Sequence, residues 1–147
     1  MTKVLLSVHV LAAILAIGPI AVAASVFPRY AREAKPGDGT TAFLHRVCRG
    51  YTVVGAAVPA FGFATGAKMG VLTDAWLIAS IVLTAIAAGV LALAILPGQR
   101  RLLALSPGED VPAGAVARLA GLTGVFNLLW AIVVVLMIVR PGSTTGA

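Results

Sequence analysis

Four long apolar runs limit most strongly what this chain of 147 residues can fold into. They cover residues 4–27, 47–67, 75–96 and about 119–139. The hydrocarbon core of a bilayer is about 30 Å thick, and roughly 20 apolar residues of helix span it. Each run reaches that length, so the sequence predicts an all-α integral membrane protein. We expect residues 1–147 to form a single four-helix transmembrane bundle of up-down topology.

The composition excludes a water-soluble globule. Apolar residues make up 60% of the chain and charged residues only 11%, whereas soluble domains carry about a quarter charged residues. The single cysteine, Cys48, excludes an internal disulfide. The carboxylates all fall outside the apolar runs, which disfavours proton pumping by buried carboxylates. No hydrolase or nucleotide-binding spacing is present, so the sequence leaves open whether the chain is an enzyme.

Basic residues are distributed unequally between the ends of the runs. Seven of the 11 lie between the first and second or the third and fourth runs, an eighth, Arg49, lies just inside the second run on the same side, and three lie at the opposite ends. Cytoplasmic loops are enriched in Lys and Arg. The bias therefore predicts a multi-pass protein of the bacterial inner membrane with both termini extracytoplasmic. Membrane lipids are the expected counter-charge, and no nucleic-acid partner is expected.

The first run also has features of a secretory signal peptide. Lys3 precedes it, and the small residues Ala21 and Ala23 lie near its end. Cleavage would leave three helices, and we favour an uncut first helix.

Prolines and glycines suggest the helix ends. Pro28 and Pro97 follow the first and third runs and are expected to end those helices, while Gly70 closes the second. Pro112 suits the first turn of a helix that leads into the fourth run. Pro28 and Pro97 are 69 residues apart, as are Arg49 and Arg118. This offset suggests two duplicated helical hairpins, although any two short hairpins resemble each other.

His9 is the ionisable side chain that lies clearly inside a run. Such residues are costly in lipid and are functional candidates by default. A neutral imidazole can ligate haem iron or copper, relay a proton or bond a quinone carbonyl. An interhelical or interfacial hydrogen bond explains His9 equally well.

Two methionines lie at the same side of the membrane as His9. Met69 and Met137, on the second and fourth helices, would form with His9 a soft-ligand site that favours Cu(I). Methionines are also ordinary fillers of gaps between helices. On the opposite side, His45 and Cys48 would share a helix face, but two ligands are too few for a closed metal site. We expect His45 to be a solvated histidine among arginines.

Asn127 is the most polar group deep in the fourth run and must find a partner there. Thr52, Thr84 or a carbonyl freed by Pro59 are the expected partners. In the alternative, Asn127 and Trp130 line a cofactor-binding cavity. Both descriptions can hold, because a cavity still needs satisfied polar groups.

A glycine series on the second helix suggests close helix contacts. Gly62, Gly66 and Gly70 are spaced four residues apart, which lets two backbones approach closely. The contact could lie within the chain, in a homo-oligomer or in a larger membrane complex.

Several short segments resemble small bacterial four-helix membrane proteins. Residues 8–14 with Gly18, the Phe-Pro-Arg segment at 27–29 and the Val-Arg-Pro segment at 139–141 carry the resemblance. It is to an uncharacterised predicted integral-membrane family that neighbours the copper-resistance D domain and the HemJ-type protoporphyrinogen oxidases. The resemblance implies a haem, porphyrin or copper connection centred on His9. The HemJ-type oxidases have a lysine after a tryptophan at the third helix, and here Trp76 has no lysine nearby.

These observations give three functional hypotheses. The first is haem- or quinone-linked redox chemistry, with His9, Asn127 and Trp130 binding the cofactor; the sequence leaves the cofactor unknown, with haem b as one candidate ahead of copper. The second is a non-catalytic accessory or scaffold subunit of a membrane complex. The third is transport of copper or a small molecule, which the shortage of buried charges makes the weakest.

Overall fold

The computed structural model of the chain describes residues 2–33, 39–105 and 109–142. All regular structure within these ranges is helical. The elements are α1 (Thr2–Glu33), α2 (Thr40–Gly55), α3 (Ala57–Met69), α4 (Ala75–Val90), a π-helical turn (Leu91–Ile95), α5 (Leu96–Leu103) and α6 (Ala113–Val139). Four helical spans in these ranges are long and apolar enough to cross a membrane. The predicted all-α membrane fold is confirmed.

The four spans pack as a bundle in which α1 is central. The second span consists of α2 and α3, and the third of α4, the π-turn and α5. The α1 helix packs along α2 and α3 and also contacts α6, which packs on α4. One end of the bundle holds the end of α1, the start of α2, the end of α5 and the start of α6. We call it the basic end, because it carries Arg29, Arg46, Arg101 and Arg118.

Two apolar clusters fill the bundle. The larger extends from its middle to the basic end and includes the fully buried Phe27 and Ile95. The smaller lies at the opposite end, around the buried Val71, Trp76 and Leu77.

The expectation that Pro28 ends the first helix is wrong, because α1 continues through it to Glu33. A proline inside a helix leaves the carbonyl four residues earlier without its usual donor. Here that carbonyl belongs to Ala24, and the Thr123 hydroxyl of α6 donates to it over 3.5 Å. An interhelical hydrogen bond therefore replaces the one that Pro28 removes.

The expectation that Pro97 ends the third helix is also wrong. The span continues to Leu103, and the π-turn immediately precedes Pro97. In this turn the amide N–H of Leu96 donates to the carbonyl of Leu91, five residues earlier. A widened turn rearranges the backbone hydrogen bonds just where proline lacks a donor.

The second and fourth helices begin earlier than their apolar runs. The α2 helix begins at Thr40 and α6 begins at Ala113, so Pro112 is the N-cap residue directly before the first turn, in which it was expected to lie. The predicted end at Gly70 is confirmed, since this residue caps α3 with a φ of 71°. The second span is interrupted at Ala56, three residues before Pro59.

Candidate functional site

His9 is held against the second span by a backbone hydrogen bond. Its Nδ1 lies 2.8 Å from the carbonyl oxygen of Val58, and the side chain is buried, with 8% of the residue surface exposed. A carbonyl oxygen can only accept, so Nδ1 carries the proton and donates. In the neutral imidazole this leaves the lone pair on Nε2.

A glycine makes room for this ring. A Cβ atom added to Gly62 would lie 2.7 Å from Cε1 of His9 and 3.0 Å from its Nδ1. The imidazole therefore packs directly on the backbone of α3. One turn further along, Gly66 faces Leu72 and Leu77, since a Cβ there would lie 2.9 Å from Leu77. Both glycines are thus engaged by side chains of this chain.

The two methionines predicted to join His9 lie together at the end opposite the basic end. Met69 and Met137 both pack on the cluster formed by Val71, Trp76 and Leu77. The imidazole contacts α3 at Gly62, about 10 Å along the helix from Met69. The predicted ligand set is therefore divided between the His9 contact and this apolar cluster.

The Trp76 ring in that cluster is anchored by charged neighbours. Its Nε1 donates to Oδ2 of Asp74 over 3.1 Å. The guanidinium of Arg140 lies 5.4 Å from the ring centroid, within reach of a cation–π interaction. The start of α4 is thereby tied to the end of α6.

Asn127 is bonded to the first helix, and its predicted partners are wrong. Its Nδ2 donates to Oγ of Ser25 over 3.0 Å. Its Oδ1 is buried and has no hydrogen-bond partner within the described ranges. Ser25 lies 16 residues after His9 on α1, which corresponds to about 24 Å of helix. Asn127 and its neighbour Trp130 therefore do not share one cavity with His9.

The structure shows a polar cluster that the sequence did not predict. His45, with 7% exposed, is buried and places Nδ1 2.9 Å from Oε1 of Gln99, so the expectation of a solvated His45 is wrong. Gln99 is fully buried, and its Nε2 donates to Sγ of Cys48 over 3.6 Å. This amide joins the second span to the third. One turn before His45, the buried Thr41 hydroxyl has no hydrogen-bond partner among the residues that the structure describes.

The Gln99 amide can satisfy both neighbours in either orientation. With Oε1 toward His45, the imidazole donates and the Cys48 sulfur accepts. With the amide reversed, Nε2 would donate to the imidazole and Oε1 would accept from the thiol. The cluster therefore links the tautomer of one side chain to the thiol proton of another.

The donor sets in the described ranges do not form a conventional metal centre. No group of three or more His, Cys, Asp or Glu side chains there is placed to hold a metal ion. His9 and His45 lie at different ends of the bundle, so any iron within one chain receives a single imidazole.

Comparison with known protein families, curated proteins and solved structures gave no match. The resemblance to the family that neighbours the copper-resistance D domain stays a prediction.

Proposed function

We propose that this chain is a haem-linked redox protein of the bacterial inner membrane in which Nε2 of His9 ligates the iron. The hydrogen bond from Nδ1 to the carbonyl of Val58 carries the proposal. Histidines that bind metal typically donate their other ring N–H to a carbonyl or carboxylate, which fixes the tautomer and orients the ring. His9 already has this arrangement.

The same tautomer distinguishes between the ligands considered for His9. A quinone carbonyl requires a donor, and Nε2 of this neutral imidazole can only accept. Iron requires a lone pair, which Nε2 offers. Haem bound there would supply one-electron transfer, while the protein would supply the imidazole of His9 as a ligand and apolar surroundings. Copper is less favoured, because Met69 and Met137 pack on a separate cluster.

Absorption spectroscopy of the detergent-purified protein tests this proposal. We expect a Soret band, present on purification or after haemin is added, that is lost in His9→Ala. His45→Ala is the matched control, because it removes an equally buried imidazole at the other end of the bundle, and it should keep the band. Metal analysis of the same sample should find iron. Far-UV circular dichroism shows whether each variant retains its helices.

Two results would overturn the proposal. One is a preparation that stays colourless with added haemin. The other is a folded His9→Ala variant with an unchanged Soret band.

We also propose that the basic end faces the cytoplasm, with both termini outside. The distribution of eight basic residues against three supports this orientation. In a Cys48→Ser background, Thr73→Cys at one end and Ala104→Cys at the basic end leave the charges unchanged, and both positions are exposed. A membrane-impermeant maleimide applied to intact cells should label only Thr73→Cys. Labelling of Ala104→Cys alone would reverse the orientation.

A further inference from the structure

A groove at the basic end is polar at its mouth and apolar along its length. It lies between the third span and α6 and has a volume of about 290 Å³. Its deeper walls include Leu93, Pro97 and Leu122, and its outer part is lined by Arg101 and Arg118. We call it the α5–α6 groove. Along the third span, Leu93 and Arg101 are separated by about 12 Å of helix, so the groove extends from the basic end toward the middle of the bundle.

The two arginines give the groove a positive charge that no carboxylate of the described ranges balances through an ion pair. Both are exposed, and neither has a carboxylate within ion-pair distance in the described part of the chain. No acidic side chain lines the groove. Guanidinium groups bind phosphate through paired hydrogen bonds. Two of them beside one opening favour an anionic phosphate group.

The apolar walls decide which phosphate compound fits. A free phosphate would use only the mouth and leave the apolar part to lipid tails. We propose that the α5–α6 groove binds an anionic phospholipid, with its phosphate between Arg101 and Arg118 and an acyl chain along Leu93 and Leu122. The charge of the groove and the exposure of 81% of Leu93 in its wall both match this ligand.

A second groove supplies an internal comparison. It lies on the other side of α6, has a volume of about 300 Å³, and is lined by Ser25, Arg29 and Arg32. Nε of Arg29 lies 3.7 Å from Oε1 of Glu33, so part of the positive charge of this groove is balanced within the protein. This groove should bind anionic lipid more weakly than the α5–α6 groove.

Titration of the purified protein with phosphatidylglycerol, followed by native mass spectrometry, tests the charged part of the site. Arg101→Gln with Arg118→Gln should weaken binding about thirtyfold, at about 1 kcal/mol for each cation near the lipid phosphate. Arg46→Gln with Arg49→Gln is the matched control, because both are exposed basic-end arginines outside the two grooves. The control should weaken binding less than about threefold, because Arg46 and Arg49 lie outside the groove that would hold the lipid phosphate.

A pair of glycine substitutions tests whether the groove must be open, without changing any charge. Gly114 lines the α5–α6 groove, whereas Gly121 lies on the same helix outside both grooves, and a Cβ at either position meets no atom within 4 Å. Gly114→Leu should narrow the outer part of the groove beside Arg118 and weaken phosphatidylglycerol binding, and Gly121→Leu should leave it unchanged. Inorganic phosphate at equal concentration should not displace the lipid.

Three outcomes would overturn the proposal. The first is an equal loss of phosphatidylglycerol affinity in the two double arginine variants, and the second is equally tight binding of phosphatidylcholine. The third is displacement of the lipid by inorganic phosphate while Gly114→Leu leaves lipid binding unchanged.

Discussion

Removal of the Gln99 amide should destabilise the bundle because it leaves a buried donor without an acceptor. Gln99 is fully buried, and its Oε1 accepts from Nδ1 of the buried His45. In Gln99→Leu an apolar side chain of similar size replaces the amide, and the imidazole N–H remains enclosed. An unsatisfied buried group costs about 1–3 kcal/mol. Interhelical hydrogen bonds in membranes average about 0.6 kcal/mol, so we expect a loss near 1 kcal/mol.

The double variant separates this effect from a simple change of packing. His45→Phe removes the stranded donor, so Gln99→Leu should then cost less than about 0.5 kcal/mol, because replacing both partners by apolar groups is nearly neutral. The free energy of unfolding is measured by denaturant titration in mild detergent, followed by far-UV circular dichroism. Thr52→Val is the control, because its hydroxyl bonds only the Cys48 carbonyl in the same helix. Equal costs of Gln99→Leu in both backgrounds would refute the reasoning.

Two other substitutions test contacts of the first helix. Gly62→Ala should lower the unfolding free energy by about 1–3 kcal/mol, because the new methyl group overlaps the His9 ring. Adding His9→Ala should recover most of this loss. A double variant that recovers none of it would contradict the contact. Thr123→Val should cost about 0.5–1.5 kcal/mol by removing the donor to the Ala24 carbonyl. In a Pro28→Ala background, residue 28 supplies its own N–H to that carbonyl, so an unchanged cost there would argue against the proposed compensation.

The four spans were predictable because length and hydropathy depend on local sequence. The errors at the helix ends have a physical cause, since both prolines were expected to end their helices. A proline can stay inside a helix when a distant group satisfies the freed carbonyl, and Thr123 lies 99 residues from Ala24. The sequence contains no local signal for such a bond.

The candidate sites were predicted less completely for a similar reason. His9 was identified because a lone imidazole in an apolar run is conspicuous, but its partner is a main-chain carbonyl 49 residues away. Asn127 was expected to need a partner, yet Ser25 lies 102 residues away. Gln99 follows the third apolar run and comes two residues after a proline that was expected to end the helix, so the local sequence did not indicate that Gln99 is buried.

The five-residue π-turn in the third span changes the direction in which the side chains after it point around the helix axis. Ser80 and Gln99 are 19 residues apart, so at 3.6 residues per turn an unbroken α-helix would direct them roughly 100° apart. Both are fully buried in the bundle. The extra residue in the widened turn removes a rotation of about that size. If residues 91–95 formed regular α-helix with all five residues retained, Gln99 would rotate by about 100° away from its buried position, and the imidazole would be separated from the thiol although no atom of the cluster had been changed.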